Sequence, residues 1–209
     1  MSEPDPPPPP TVRLTDPRAL RAYAHPTRMA LVGLLRQEGP LTATRAAELV
    51  GESVASCSFH LRQLARYGLV EEAGGGRGRE KPWRATALYT SWDTADADPA
   101  TAEAAGALQR TVVERYAALA ERWLAAQRTE EPAWRHAAGI SDTLLHLTAG
   151  ELAELAAGMD ALMRPYLGRL GGAADRPAGS RPVLLVRMAL PSDTAPPAPD
   201  TDTPAKAAP

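Results

Sequence analysis

Apolar residues recur along this chain mostly at helical steps, interrupted at short intervals by glycine, proline and small hydroxyl residues that start or stop helices. Asp16 as N-cap with Pro17 at the first helical position predicts a helix to about Ala24. His25-Pro26 breaks it, and Met29, Leu31, Val32, Leu34 and Leu35 supply the buried stripe of a second helix ending at Gly39-Pro40. A third follows Thr42 as cap, carries Ala46, Ala47, Leu49 and Val50, and closes at Gly51. Ser53 caps a fourth, which continues through Leu61 and Leu64 to a stop at Gly68.

Two short strand candidates follow, at residues 69–72 and 83–87, joined by a loose, glycine-rich basic connector at 74–81. The last three of these small helices, with a tight turn at Gly51 between the final two, followed by a hairpin, predict a winged helix-turn-helix over residues 13–90. Beyond residue 100, Leu108, Val112, Tyr116, Leu119 and Trp123 are spaced as one face of an amphipathic helix over about 101–127. Residues 141–147 (SDTLLHL) and 183–190 (VLLVRMAL) look extended. Between them Thr148 and Glu151 form a capping box, Leu147 and Leu152 are placed as a hydrophobic staple, and Leu152, Leu155, Met159, Leu162, Tyr166 and Leu170 line another helix. The expected fold class is mainly α with short β (α+β). The winged domain is followed, over 91–190, by a dimerisation helix and a small C-terminal α+β region that completes the dimer or holds an apolar ligand. Residues 1–12 and 191–209 hold twelve of the 21 prolines and few large apolar side chains, so both are expected to be disordered tails.

Charge sharpens this division. The chain's net charge is −2, yet residues 17–90 carry eleven Lys/Arg against six Asp/Glu, a local +5, and residues 91–209 carry eleven against sixteen, a local −5. A basic half is what a phosphate backbone selects. A single cysteine, Cys57, excludes an internal disulfide and a thiolate metal cluster within one chain, and His25, His60, His136 and His146 show no ligand spacing. No nucleophile elbow, phosphate loop, zinc-protease or dinucleotide motif is present, so neither an enzyme nor a cofactor is expected. No apolar run is long enough to span a membrane and the N-terminus is a polar proline run, which predicts a cytoplasmic protein.

On the fourth helix, Cys57, Leu61 and Leu64 fall on one side at 100° per residue. The other side carries Ala55, Phe59, Arg62 and Arg66, flanked by Ser56, Ser58 and Gln63. Hydroxyls and arginines reach phosphates or base edges, glutamine pairs with adenine, arginine reads guanine, and an apolar ring touches the thymine methyl. The caps Thr42 and Ser53 complete the DNA-facing set. Arg77, Arg79 and Lys81, at alternate positions of the hairpin tip, give a cationic finger for a minor groove or its phosphates. Trp83 is expected to pack at the hairpin base, and His60 to be a partly buried, satisfied histidine.

The segments AHPTRMALVGLL, VGESVASCSFHLRQLARYGLV and GRGREKPWR lie within a run, about a third of the chain, that closely resembles the DNA-binding domain of the ArsR-like winged helix-turn-helix regulators. The resemblance implies a homodimer on inverted repeats near promoters, responding to a metal or another signal. It places recognition-helix contacts on Ser56, Ser58, Phe59 and Arg62, and wing contacts on Arg77 and Arg79. The sequence departs from that pattern in two ways. Glu52 stands where a leucine is usual, which shifts local packing to Val54, and the clustered cysteines of the metal-sensing members are missing. The resulting expectation is a sequence-specific double-stranded DNA-binding regulator, a repressor before an activator. It acts as a homodimer through Leu108, Val112, Tyr116, Leu119 and Trp123, with a small-molecule effector in view. The alternatives are a protein-interaction module whose winged helix does not bind DNA, and a redox-responsive regulator working through Cys57.

Overall fold

The computed structural model describes residues 10–76, 81–92, 97–170 and 175–191. Strand β1 (Thr11–Leu14) precedes helices α1 (Pro17–Tyr23), α2 (Pro26–Glu38), α3 (Ala43–Val50) and α4 (Val54–Arg66). Strands β2 (Val70–Glu72), β3 (Trp83–Ala85) and β4 (Tyr89–Trp92) follow. The remainder is α5 (Pro99–Ala126), a 3-10 turn (Gln127–Thr129), α6 (Pro132–Ala137) and α7 (Ala149–Leu167).

Helix boundaries follow local chemistry. Asp16 accepts from the Arg18 amide at 2.7 Å, Thr42 from Arg45 at 3.2 Å and Ser53 from Ser56 at 3.1 Å, each satisfying an amide that the first turn leaves unpaired. Thr148 and Glu151 close the reciprocal capping box of α7. Gly51, at φ 73° in the left-handed region, ends α3 and lets the chain turn directly into α4.

The core gathers Leu20 from α1, Leu31, Val32 and Leu35 from α2, and Ala46 and Ala47 from α3. Cys57, Leu61 and Leu64 from α4 join them, with Leu69, Val70 and, from α5, Ala104, Ala105 and Leu108. β2 and β3 pair antiparallel as Val70 with Ala85 and Glu72 with Trp83, and Leu41 bridges to Trp83. Trp83 is half-buried at the base of this hairpin, where its side chain was expected to pack.

Three expectations need correction. The first is that residues 1–12 form a loose tail: Thr11 and Val12 belong to β1, which runs parallel to β4 with Thr11 opposite Tyr89 and Leu14 opposite Trp92. The Pro10 carbonyl accepts from the Leu88 and Tyr89 amides, and Leu14 enters the core, so alternate apolar residues anchor this end of the chain. Residues 1–9 and 192–209 lie outside the described residues. The second concerns residues 141–147 and 183–190, expected as extended, which have no regular secondary structure and join neither sheet among the described residues. Strand propensity alone supplies no partner for the backbone. The third is that Val54 takes over local packing: it is exposed, while the neighbouring Glu52 accepts from the Thr27 hydroxyl at 3.3 Å and so ties the turn to the first turn of α2. Among the described residues no helix is long and apolar enough to cross a membrane.

Candidate nucleic-acid interface

Helix α4 has two chemically distinct sides. Cys57, Leu61 and Leu64 are each 0% exposed, which anchors the helix against α2 and α3. Phe59, on the far side, is 49% exposed, with Ala55, Arg62 and Arg66 also exposed and Ser56, Ser58 and Gln63 half-buried. An exposed phenylalanine on a helix that already buries a full apolar stripe contributes nothing to this chain's core. A groove beside Arg62 and Ser58 is bounded by Thr42, Thr44, Val54, Lys81 and Trp83, with Glu72 on its hairpin wall. The N-terminal ends of α3 and α4 border this groove through Thr42 and Val54, and neither has an acidic residue in its first turn. Amide dipoles at those ends therefore add to the positive potential.

The hairpin is less basic than its sequence. Lys81 contacts both carboxylate oxygens of Glu72 at 3.0 Å, and Arg84 pairs with Glu71 at 2.8 Å. Arg77 and Arg79 lie outside the described residues. Arg62 and Arg66 form no ion pair within the described chain. Thr42 and Ser53 cap their helices, which leaves their hydroxyl protons to donate outward.

Behind α4 lies a cluster that residue spacing did not reveal, because His60 is 35 residues from His25 and 32 from Arg28. The His60 ring sits 4.7 Å from the His25 ring, and Arg28 Nη1 approaches His60 Nδ1 at 3.4 Å. His25 Nδ1 caps α2 by accepting from the Thr27 amide at 3.2 Å, and Arg28 also donates to the Ala22 carbonyl. Burial, then the Arg28 guanidinium, holds both imidazoles below their ordinary range, His25 being lowered further by His60. Phe59 packs edge-on to His60, so the cluster supports the outward ring. Thr44 and Glu72 are hydroxyl and carboxylate groups lining the groove that were absent from the expected set. Thr44's place two residues after a cap was its one visible signal, and Glu72 is defined by cross-strand register alone.

Cys57 is fully buried, and burial pushes its thiol above the ordinary range, away from the thiolate that oxidation requires. Along α5, Leu108 is also fully buried, packed into the core where the start of α5 meets α1. It therefore has no surface to offer a partner, a correction to the expected interface. Val112 packs partly on the same core, and Tyr116 stands near Tyr23 and Arg36. Leu119 and Trp123 are half-buried, and Val113 and Leu124 are the large apolar residues that α5 exposes.

No curated protein matches the chain. Residues 23–73, about a quarter of it, match the family model of a helix-turn-helix domain, which is found in ArsR-like and related regulators. The matched span runs from the end of α1 through β2 and contains the whole two-sided α4. The chain thus carries a helix-turn-helix domain within an α+β winged fold.

Proposed function

We propose that this protein is a sequence-specific regulator of transcription that binds double-stranded DNA as a homodimer on an inverted repeat, repressing rather than activating. The observation that carries the reading is the division of α4: Cys57, Leu61 and Leu64 locked inward, Phe59, Arg62 and Arg66 outward, immediately after the Gly51 turn. In this reading α4 enters the major groove. Ser56, Ser58, Phe59, Arg62 and Gln63 face base edges or adjacent phosphates, while Thr42, Ser53 and Arg66 fix the register on the backbone. Arg77, Arg79 and Lys81 extend the contact through the wing. The DNA-binding unit runs from β1 to β4, and the α5 surface bearing Leu119 and Trp123 faces a second copy, with an effector acting through the C-terminal region.

The test is binding to a duplex selected in vitro from genomic fragments. Affinity should fall steeply with salt, the logarithmic slope being about −0.9 per phosphate neutralised. Arg62→Ala should lose about 1–3 kcal/mol and relax one base position, whereas Arg79→Ala should weaken all sequences alike. If both variants bind as the parent does, the assigned face is wrong. One observation favours the second reading, a protein-interaction module: the pairs Lys81–Glu72 and Arg84–Glu71 neutralise the described cations of the hairpin. Salt-independent binding, or none, would select that reading.

A further inference from the structure

Arg36, in the last turn of α2, is half-buried and does not border the groove beside α4. Its Nε donates to the Ala87 carbonyl at 2.8 Å and its Nη2 to the Thr90 hydroxyl at 2.7 Å. Tyr23 of α1 adds a side-chain hydrogen bond, and Tyr89 of β4 and Tyr116 of α5 stand close by. Each of these partners is neutral, and among the described residues Arg36 joins no ion pair. Burial holds the guanidinium below its ordinary range. Clasping Ala87 and Thr90 to α2 explains the hydrogen bonds but not the charge, since neutral acceptors ask only for a neutral donor. The dipole at the close of α2 offsets part of that charge. A half-buried guanidinium without a counter-ion still carries the cost of its lost hydration.

The same side chain borders a cavity of about 340 Å³, at the small end of the roughly 300–1,000 Å³ that ligand pockets span. Pro10, Leu35, Pro40 and Leu88 give it apolar walls. Arg84 borders it too but is already paired with Glu71 at 2.8 Å. Ala87 is buried on the wall, and its amide donates to no acceptor among the described residues. A cation without a carboxylate and an amide without an acceptor thus border one small apolar hollow, the combination that fixes a ligand's polar end while its body is buried.

We infer that this cavity is a binding site for a small organic carboxylate, its charged end on the Arg36 guanidinium and its apolar body against Leu35, Pro40 and Leu88. The described partners occupy at most three of the five guanidinium N–H groups, and the fork that remains matches a carboxylate. Apolar walls disfavour inorganic phosphate, which would surrender its hydration for a single cation. A monocarboxylate brings one charge to one charge and buries the rest of its surface. No residue of α4 lines the cavity, so the site stands whether or not the chain binds DNA.

The test is calorimetric titration of the full chain with benzoate at about 0.15 M salt, beside benzamide and inorganic phosphate. Benzoate should bind saturably, while benzamide, its neutral isostere, and phosphate should bind at least tenfold more weakly. Amide NMR spectra of the parent should show benzoate shifting Ala87 and its neighbours in residues 35–40 and 85–88. Arg36→Gln should weaken benzoate at least tenfold with helical circular dichroism retained, and the NMR mapping on the parent decides the matter where that variant misfolds. No saturable benzoate binding at millimolar concentration, equal binding of benzamide or phosphate, unaltered binding by Arg36→Gln, or shifts centred elsewhere would each overturn the proposal.

Discussion

Glu72 stands on the hairpin wall of the groove that Arg62 borders, where its carboxylate holds Lys81. A phosphate arriving there meets a lysine already neutralised and a carboxylate that repels it. Glu72→Gln should therefore tighten binding to any duplex and steepen the salt slope by about one phosphate equivalent, as read by fluorescence anisotropy over a salt series. The histidine cluster behaves differently. His25 and His60 each use Nδ1 as an acceptor, so protonating either removes a hydrogen bond and adds charge beside Arg28, which the Glu52 carboxylate opposes. With both folded values lowered, the unfolded chain binds protons more readily. Stability is then complete above the unfolded value of about 6.5 and declines as pH falls from there toward the folded values. Thermal unfolding should show the midpoint dropping below about pH 6.5, and His60→Gln should blunt that drop. A flat profile across pH 5–7 would show that the cluster does not oppose protonation.

Individual elements were legible where signals were local. Asp16-Pro17, Thr42, Ser53 and Thr148 each mark a helix start within a few residues, and all four helices begin where these caps predict. The two sides of α4 could be read for the same reason: a stripe at 100° per residue needs no knowledge of the rest of the chain. β1 was hidden because it has four residues, follows a proline run, and pairs in parallel with a strand beginning at Tyr89, a partner that no local pattern names. Leu108 was misassigned on similar grounds, since periodicity gives a face but not what covers it. Leu14→Ala tests the docking of β1. It should cost about 2–5 kcal/mol in urea denaturation, whereas a change below 0.5 kcal/mol, the ordinary scatter of surface substitutions, would show that the strand contributes no core. Gly51→Ala tests the turn, since its left-handed backbone strains any side chain: about 1 kcal/mol should be lost. An unchanged midpoint would mean the turn relaxes to another geometry.

Across the whole molecule the charge division matches the architecture: the basic half holds the groove and the acidic half holds most of the large apolar side chains exposed among the described residues. The acidic half is tied back to the winged domain by Arg176, which pairs with Glu38 at 3.5 Å and donates to the Gln37 carbonyl at the close of α2. The first turns of α5 are equally fixed, with Thr101, Ala104, Ala105 and Leu108 buried in the core that α1 shares. A helix seated that firmly leaves its domain in one set direction, with no slack hinge to absorb error. Two domains joined through such rods would act as a rigid caliper, accepting half-sites at one separation and rejecting a spacer lengthened by a single base pair, which turns one half-site by about 34°. Gel-shift titration against duplexes whose spacers differ one base pair at a time should give one sharp optimum, and equal affinity for neighbouring spacers would mean that the rods bend.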